Sequence, residues 1–327
     1  MTALSADAPV RADTLHTLGG PTMGTAWSAR VAGVESARLP ELRAAIEAEL
    51  DQVVREMSTW DAGSDLSRYN RAAAGEWVEL PEACRFVLAR ALAHAADSDG
   101  AFDPTVGPSV NLWGFGPTVE RGDFGRDALP PDVQVDATRA RIDWRRVRLV
   151  GDRVLQPGGC YLDFSAIAKG YATDRALAAL AAAGVAGALV EVGGELKAHG
   201  RRPDGRPWQV GVRWPGHADG EGPVVALDGL AIATSGDDFR YFESGGRRYS
   251  HTLDPRTGKP VAHALASVTV LHADAIEADA WATALLVLGP DEGVARARAH
   301  GLAALFVARD GGGHLAHPTP AFLEALV

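Results

Sequence analysis

An α+β fold is what this sequence predicts, and three observations lead there. Strand-like and helix-like segments alternate, but without the regular rhythm of a doubly wound sheet. No segment recurs at a fixed period, and no linker is long enough to separate independent domains. Hydrophobic residues make up 46% of the 327, enough to bury a sizeable core. The expected organisation is a disordered lead over residues 1–17 and one folded unit over 18–327.

In chain order, residues 14–32 alternate around Gly-Gly-Pro and read as strand, turn, strand. Residues 40–57 read as an amphipathic helix, because Leu42, Ile46, Leu50, Val53, Val54 and Met57 recur at helical spacing. Pro40 and Glu41 suit its first turn. A second helix is expected from Pro81 to about Ala96. Residues 100–136 are rich in Gly, Pro and Asp and read as loop, and 143–162 as short strands split by a Gly-Asp turn. A helix follows over 168–183, then short strands at 187–192, 208–214, 223–227 and 230–234. A strand at 266–271, helices at 276–288 and 290–300, and a strand at 302–308 complete the chain.

Composition excludes some functions. A formal charge of −10 argues against a nucleic-acid binder, which needs a basic face. An acidic protein that handles an anion must gather its cations locally or borrow a metal. Cys84 and Cys160, the only two cysteines, form no C-x-x-C pair and read as buried thiols. The N-terminus has no basic segment followed by an apolar one, and no nearby cysteine to carry a lipid. No run reaches the ~18 uncharged apolar residues of a membrane helix. As written the chain reads as cytoplasmic, or as periplasmic or membrane-associated if it is the trimmed form of an exported protein. No G-x-G-x-x-G follows a strand, and there is no phosphate-binding G-x-x-x-x-G-K-[ST] and no H-E-x-x-H.

Several segments carry candidate chemistry. Ser250 to Pro260 packs His251, Asp254, Arg256 and Thr257 into a loop that Pro255, Gly258 and Pro260 keep out of helix. Asp279 and Thr283 stand four apart on one helix face and offer two oxygen ligands to Mg²⁺; by spacing alone, capping and back-bonding to the helix explain them better. Leu162 to Asp174 takes a buried strand through a polar turn into a helix with Lys169 in its first turn. The helix dipole disfavours a lysine there unless it meets an anion such as phosphate; a snorkelling surface lysine is an equal reading.

Gly100 to Pro108, with Trp113 and Phe115, offers small residues and stacking aromatics to a flat ligand, or else a hydrophobic loop packed on the core. Thr234 to Asp237 ends a strand with two hydroxyls and an acid, suited to phosphate or water or simply to a turn. Gly193-Gly194-Glu195 reads as a bulge or as a place where a ligand meets backbone.

Taken as an ordered series, these segments resemble the ApbE-type FAD:protein FMN transferases. The series is Met23-Gly24-Thr25; Met57-Ser58-Thr59-Trp60 with Ser67-Arg68-Tyr69-Asn70; Gly100 to Gly107; Trp113 to Gly116; Asp163 to Asp174; Gly193-Gly194-Glu195; Thr234 to Asp237; His251 to Pro260; and Ala278-Asp279 to Thr283. It covers roughly residues 18–310.

The resemblance implies a single-chain fold with two T-fold-like αβ halves and FAD in the cleft between them. It implies Mg²⁺ held by Asp279, Thr283 and the Ala166 carbonyl. It implies FAD contacts from Met23, Trp60, Ala101, Phe102, Asp103, Asp163 and the backbone around His251 to Leu253, with Lys169 near the pyrophosphate. Trp60 stands where the family commonly has tyrosine, and Thr252-Leu253 where Ile-Ile is more usual.

The implied reaction moves FMN from FAD to a Ser or Thr hydroxyl of an acceptor flavoprotein and releases AMP. The acceptor would carry a motif such as Asp-x-x-Ser/Thr-Gly-Ala-Ser/Thr. His251 is the first choice of base, because its unperturbed pKa lies near neutrality, and Asp163 and Asp254 are the second choices. Competing readings are an FAD pyrophosphatase, a flavin-binding or storage protein, and a serine acyl-enzyme of the penicillin-binding type. The last fails on spacing, since Ser165 and Lys169 are four apart where that motif needs three.

Overall fold

The computed structural model describes residues 14–118, 129–215, 222–237 and 240–327. Its frame is one antiparallel sheet of eight strands. They are β1 (Leu15–Thr22), β2 (Thr25–Ala32), β3 (Gly187–Val192), β4 (Glu195–His199), β5 (Ala231–Gly236), β6 (Leu265–His272), β7 (Ala303–Asp310) and β8 (Gly313–Pro318). Their order across the sheet is their order along the chain, so the sheet is a meander with long insertions between some neighbours.

Four long helices belong to these insertions: α1 (Leu39–Met57), α2 (Glu82–Asp97), α3 (Ala168–Ala182) and α4 (Ala275–Ala299). Alternation along the strands decides which face each residue serves. Val190 and Val192 of β3, Val268 and Val270 of β6, and Ala304 and Phe306 of β7 point to the helices and join the main core. Leu189, Ile232, Leu271, Leu305 and Val307 point the other way. There the hairpin Trp208–Gly211/Val224–Leu227 and Phe322 cover them.

α1 forms where expected, burying Leu42, Ile46, Leu50, Val53 and Met57. α4 is buried almost all round from Ala275 to Gly289, as befits a helix wedged between sheet and helices. It kinks at Gly289, whose φ is 83°, just before Pro290, and so joins the two helices expected at 276–288 and 290–300. α3 crosses it closely at Gly170, where a Cβ would come within 2.2 Å of the Ala275 carbonyl oxygen.

The structure corrects several expectations. Leu15 to Thr17 are already strand, so the sheet begins inside the lead assigned to 1–17; residues 1–13 lie outside the described part. The loop expected over 100–136 contains the short helices Gly107–Leu112 and Asp132–Arg139. The short helix Asp65–Asn70, strand β4, the hairpin Tyr241–Ser244/Arg247–Ser250 and strand β8 were not anticipated. Strands this short or this exposed carry too few apolar residues to show a period. Among the described residues no helix is long and apolar enough to cross a membrane.

Candidate active site

The site forms where one end of the sheet meets the first turn of α3 and the first half of α4. Thr22 and Thr25 pair across β1 and β2, leaving Met23 and Gly24 as a two-residue turn with φ of 47° and 71°. Hairpins favour such turns, but a methionine with positive φ is uncommon and held at some cost. The neighbouring turn, between β3 and β4, holds Gly193 at φ 60°. A Cβ there would lie 2.8 Å from Thr25 Cγ2 and 3.1 Å from Lys169 Cδ, so this glycine lets the β2 turn and the lysine stem come together.

Lys169 meets two buried carboxylates. Its Nζ lies 2.5 Å from Glu195 Oε1 and 3.7 Å from Asp279 Oδ1. Glu195 and Asp279 are each 3% exposed. The partner that offsets the helix dipole is therefore a pair of acids, and the surface-lysine reading is ruled out. Burial disfavours the ammonium, but Asp279 and Glu195 outweigh it and push the Lys169 pKa up to about 12. Burial raises both acids; Lys169 opposes the rise in each, and the Asp279 charge adds to that of Glu195. Two buried carboxyls thus share one ammonium, which stays protonated between them.

Asp279 does more than balance charge. Its Oδ2 accepts the Gly170 N–H at 2.9 Å. In a regular helix start that donor would reach back four residues to the Ala166 carbonyl. Among the described residues no backbone N–H donates to Ala166 O. One turn along α4, Thr283 Oγ1 lies 2.9 Å from Ser235 Oγ on β5. Thr234, beside it, shares a 2.9 Å contact with Thr269 across β5 and β6.

Of the expected magnesium set, Asp279 and Thr283 stand one turn apart on α4, and Asp279 bonds the Gly170 N–H, four residues along the chain from Ala166. They supply hard oxygen donors, and the Ala166 carbonyl, which accepts no backbone N–H among the described residues, fits such an ion. Among the described residues no three His, Cys, Asp or Glu side chains gather into a metal cage, and this set has only one carboxylate.

The remaining predicted residues sit as follows. His251 is half-buried, and its Nδ1 lies 3.0 Å from the Arg240 carbonyl oxygen, so Nδ1 carries the proton and Nε2 keeps a lone pair. Burial lowers its pKa from 6.5, and the nearby Arg240 and Lys169 charges add to this. Phe115 packs edge-on against the ring. Trp60 is 64% exposed on a loop that Ser58 Oγ shapes by accepting the N–H groups of Trp60 and Asp61.

Asp163 Oδ1 accepts from the Ser165 N–H at 2.8 Å and from the Ser165 hydroxyl at 2.5 Å, fixing the turn into α3. Ala101 and Phe102 are buried. Asp103 is buried with its carboxylate bound to Thr105 N, Thr105 Oγ1 and Trp144 N, and burial pushes its pKa to about 6. Leu253 is buried with Leu112, Trp113 and Val135.

Two candidates prove architectural. Asp254 is spent on its own turn, bonding Arg256 N, Nε and Nη2, which removes it as an alternative base. Trp113 stacks on Tyr249 and donates its Nε1–H to the Gly258 carbonyl at 2.8 Å, so it fills the packed-loop reading. Asp174 caps α4 from outside by accepting the Ala275 and Ile276 N–H groups. Sequence reasoning missed Glu195 as the partner of Lys169 and Ser235 as the partner of Thr283. The Gly-Gly turn ahead of Glu195 was the available signal, since a ligand or side chain needs such room.

Comparison with known proteins adds to this geometry. The model of the ApbE family matches residues 23–306. The FAD:protein FMN transferase of Klebsiella pneumoniae (strain 342) is 38% identical over 325 residues, covering 97% of this chain and 91% of that protein. That of Escherichia coli (strain K12) is 36% identical over 328 residues, covering 98% and 92%. The crystal structure of Pseudomonas stutzeri flavinyl transferase ApbE, apo form, superposes with a TM-score of 0.86 at 42% identity, covering 96% of this chain and 97% of that one. The flavin transferase ApbE from Vibrio cholerae gives 0.87 at 32% identity, covering 96% and 100%. On sequence and on fold alike, this chain belongs to the ApbE family of flavin transferases.

Proposed function

We propose that this protein transfers FMN from FAD to a Ser or Thr hydroxyl of an acceptor flavoprotein, with release of AMP, and that it needs Mg²⁺. The observation that carries this is the diversion of the Gly170 N–H to Asp279, which leaves the Ala166 carbonyl without a backbone donor among the described residues. FAD would lie in a cleft between two T-fold-like halves, one contributing β1–β4 with α1 and α3, the other β5–β8 with α4. The acceptor would present a small-residue motif of the Ser/Thr-Gly-Ala-Ser/Thr type, whose backbone can enter such a cleft.

Asp279, Thr283 and the Ala166 carbonyl would hold the ion, which when bound neutralises pyrophosphate charge and stabilises the departing AMP. Lys169 adds a positive charge beside the phosphates. The acceptor oxygen forms a bond to the FMN phosphorus as the P–O bond to AMP breaks. His251, neutral and anchored through Nδ1, takes the hydroxyl proton on Nε2. Trp60 offers a face for a flat ring, and Met23 and Asp163 shape the rim around it.

The test is incubation with FAD and Mg²⁺, with and without a Thr-containing acceptor, read by in-gel flavin fluorescence and by chromatography of the nucleotides. Fluorescent acceptor plus AMP, both lost with chelator, supports the transferase. Free FMN and AMP with every acceptor unlabelled would mean that water is the nucleophile and the protein is an FAD pyrophosphatase.

A further inference from the structure

Glu195 has no part in the reaction just described, yet it is among the most enclosed acids of the chain. Its Oε1 holds Lys169 at 2.5 Å, while Oε2 is buried without a hydrogen-bond partner. A buried carboxylate oxygen left bare is costly unless something uses it in another state. Lys169 is the group within reach. Its stem runs past Gly193, and its ammonium lies between Glu195 and Asp279, closer to the first by 1.2 Å (3.7 against 2.5). The Lys169 side chain is 30% exposed and the two acid side chains 4% each, so Lys169 is the member of the trio with room to shift.

We propose that Glu195 is a positioning residue that acts through Lys169, drawing its ammonium off Asp279 so that Asp279 Oδ1 stays open to a divalent cation. Without the ion, Lys169 stands between the acids and supplies the missing positive charge. With the ion on Asp279, the two positive charges repel, and Lys169 retreats onto both oxygens of Glu195. Glu195 thereby gives the displaced ammonium a seat and keeps it beside the phosphates. The inference rests on the cation site proposed above, but not on what accepts the FMN.

The two partners of this lock should shift cation affinity in opposite directions. The probe is Mn²⁺ alone, titrated into FAD-free protein with free ion read by electron paramagnetic resonance. E195Q keeps the shape but loses the charge that restrains Lys169, and should weaken Mn²⁺ binding roughly tenfold or more, as expected for one charge at contact range in a partly screened centre. K169M keeps the stem and removes the competitor, and should tighten binding by a similar factor while lowering the transfer rate. E195D should recover part of the affinity lost in E195Q.

Loss of affinity in both single variants, or an unchanged affinity in E195Q, overturns the proposal. So does an unaltered protein that fails to bind Mn²⁺. Thermal unfolding of each variant separates misfolding from charge, and K169M guards against it, since a misfolded site cannot bind more tightly. If the protein proved to be a pyrophosphatase, the opposite signs would still stand.

Discussion

Asp279 Oδ2 accepts the Gly170 N–H at 2.9 Å, joining the first turn of α3 to the first half of α4 through a single carboxylate. This bond opens the Ala166 carbonyl, and it leaves Oδ1 facing Lys169. The backbone of one helix is thus part of the site on another.

Asp279→Asn separates these two duties. The amide oxygen can still accept the Gly170 N–H, so the variant should unfold within a few degrees of the parent. Metal-dependent transfer should fall by roughly 10²–10³, the scale of losing one preorganised electrostatic group. A steady-state assay across Mg²⁺ concentrations checks it, and near-normal activity would remove Asp279 from the centre.

Gly170→Ala tests the close crossing of α3 and α4. The new Cβ would lie 2.2 Å from Ala275 O and 2.8 Å from Asp279 Cβ, contacts the backbone must move to relieve. A loss of about 2 kcal/mol is expected in urea unfolding, together with reduced activity, because the shift displaces Asp279.

His251 sets the acid limb of the pH profile. Burial lowers its pKa below 6.5, so the neutral, proton-accepting form prevails at pH 7. The transfer rate should rise with pH through a value under 6.5 and stay level above it, and His251→Gln should lose that limb with a rate drop of roughly 10²–10⁴. The folded state binds this proton less tightly than the unfolded one. Its contribution to stability is therefore present above pH 6.5 and shrinks as pH falls from 6.5 toward the lowered folded pKa.

Trp60→Ala should cost binding rather than stability. Its ring is 64% exposed, so little core is lost on truncation. Stacking of a flat base on an aromatic face is worth ~1–3 kcal/mol, and the KM for FAD should rise roughly tenfold with the melting temperature unchanged. An unchanged KM would take Trp60 out of the site.

Glu277, on α4 two residues before Asp279, anchors the helix to α2. Its carboxylate lies 2.6 Å from Arg90 Nη2 and 3.2 Å from His94 Nε2. Burial opposes the charge, but His94 and Arg90 prevail and lower the pKa from 4.5 to about 2. Being depressed, this group adds stability that is complete above pH 4.5 and is lost as pH falls toward 2. After allowance for solvent screening it amounts to on the order of 1–2 kcal/mol, and Glu277→Gln should flatten stability against pH over that window.

Much of the architecture was legible in the sequence because long amphipathic segments announce themselves. The α1 residues recur at helical spacing, and Gly289-Pro290 marked where α4 bends. Strand β4 was harder to see, since its polar ends Glu195 and His199 serve the site and solvent rather than a periodic face. The hairpin Tyr241–Ser250 failed for a similar reason: its strands are four residues each and only Ser250 is buried.

By itself the sequence determined the α+β class, the four long helices and the set of segments that carry family membership. It could name Asp279 and Thr283 as one helix face, because that relation is local and follows from 3.6 residues per turn. Only the tertiary structure decided which anions Lys169 meets, since Glu195 comes from 26 residues away and Asp279 from 110, brought together by the order of strands in the sheet. It also decided that Asp254 and Trp113 build a turn while His251 keeps a free nitrogen. Such choices depend on which polar atoms are already paired, and pairing across a fold leaves no period in the chain.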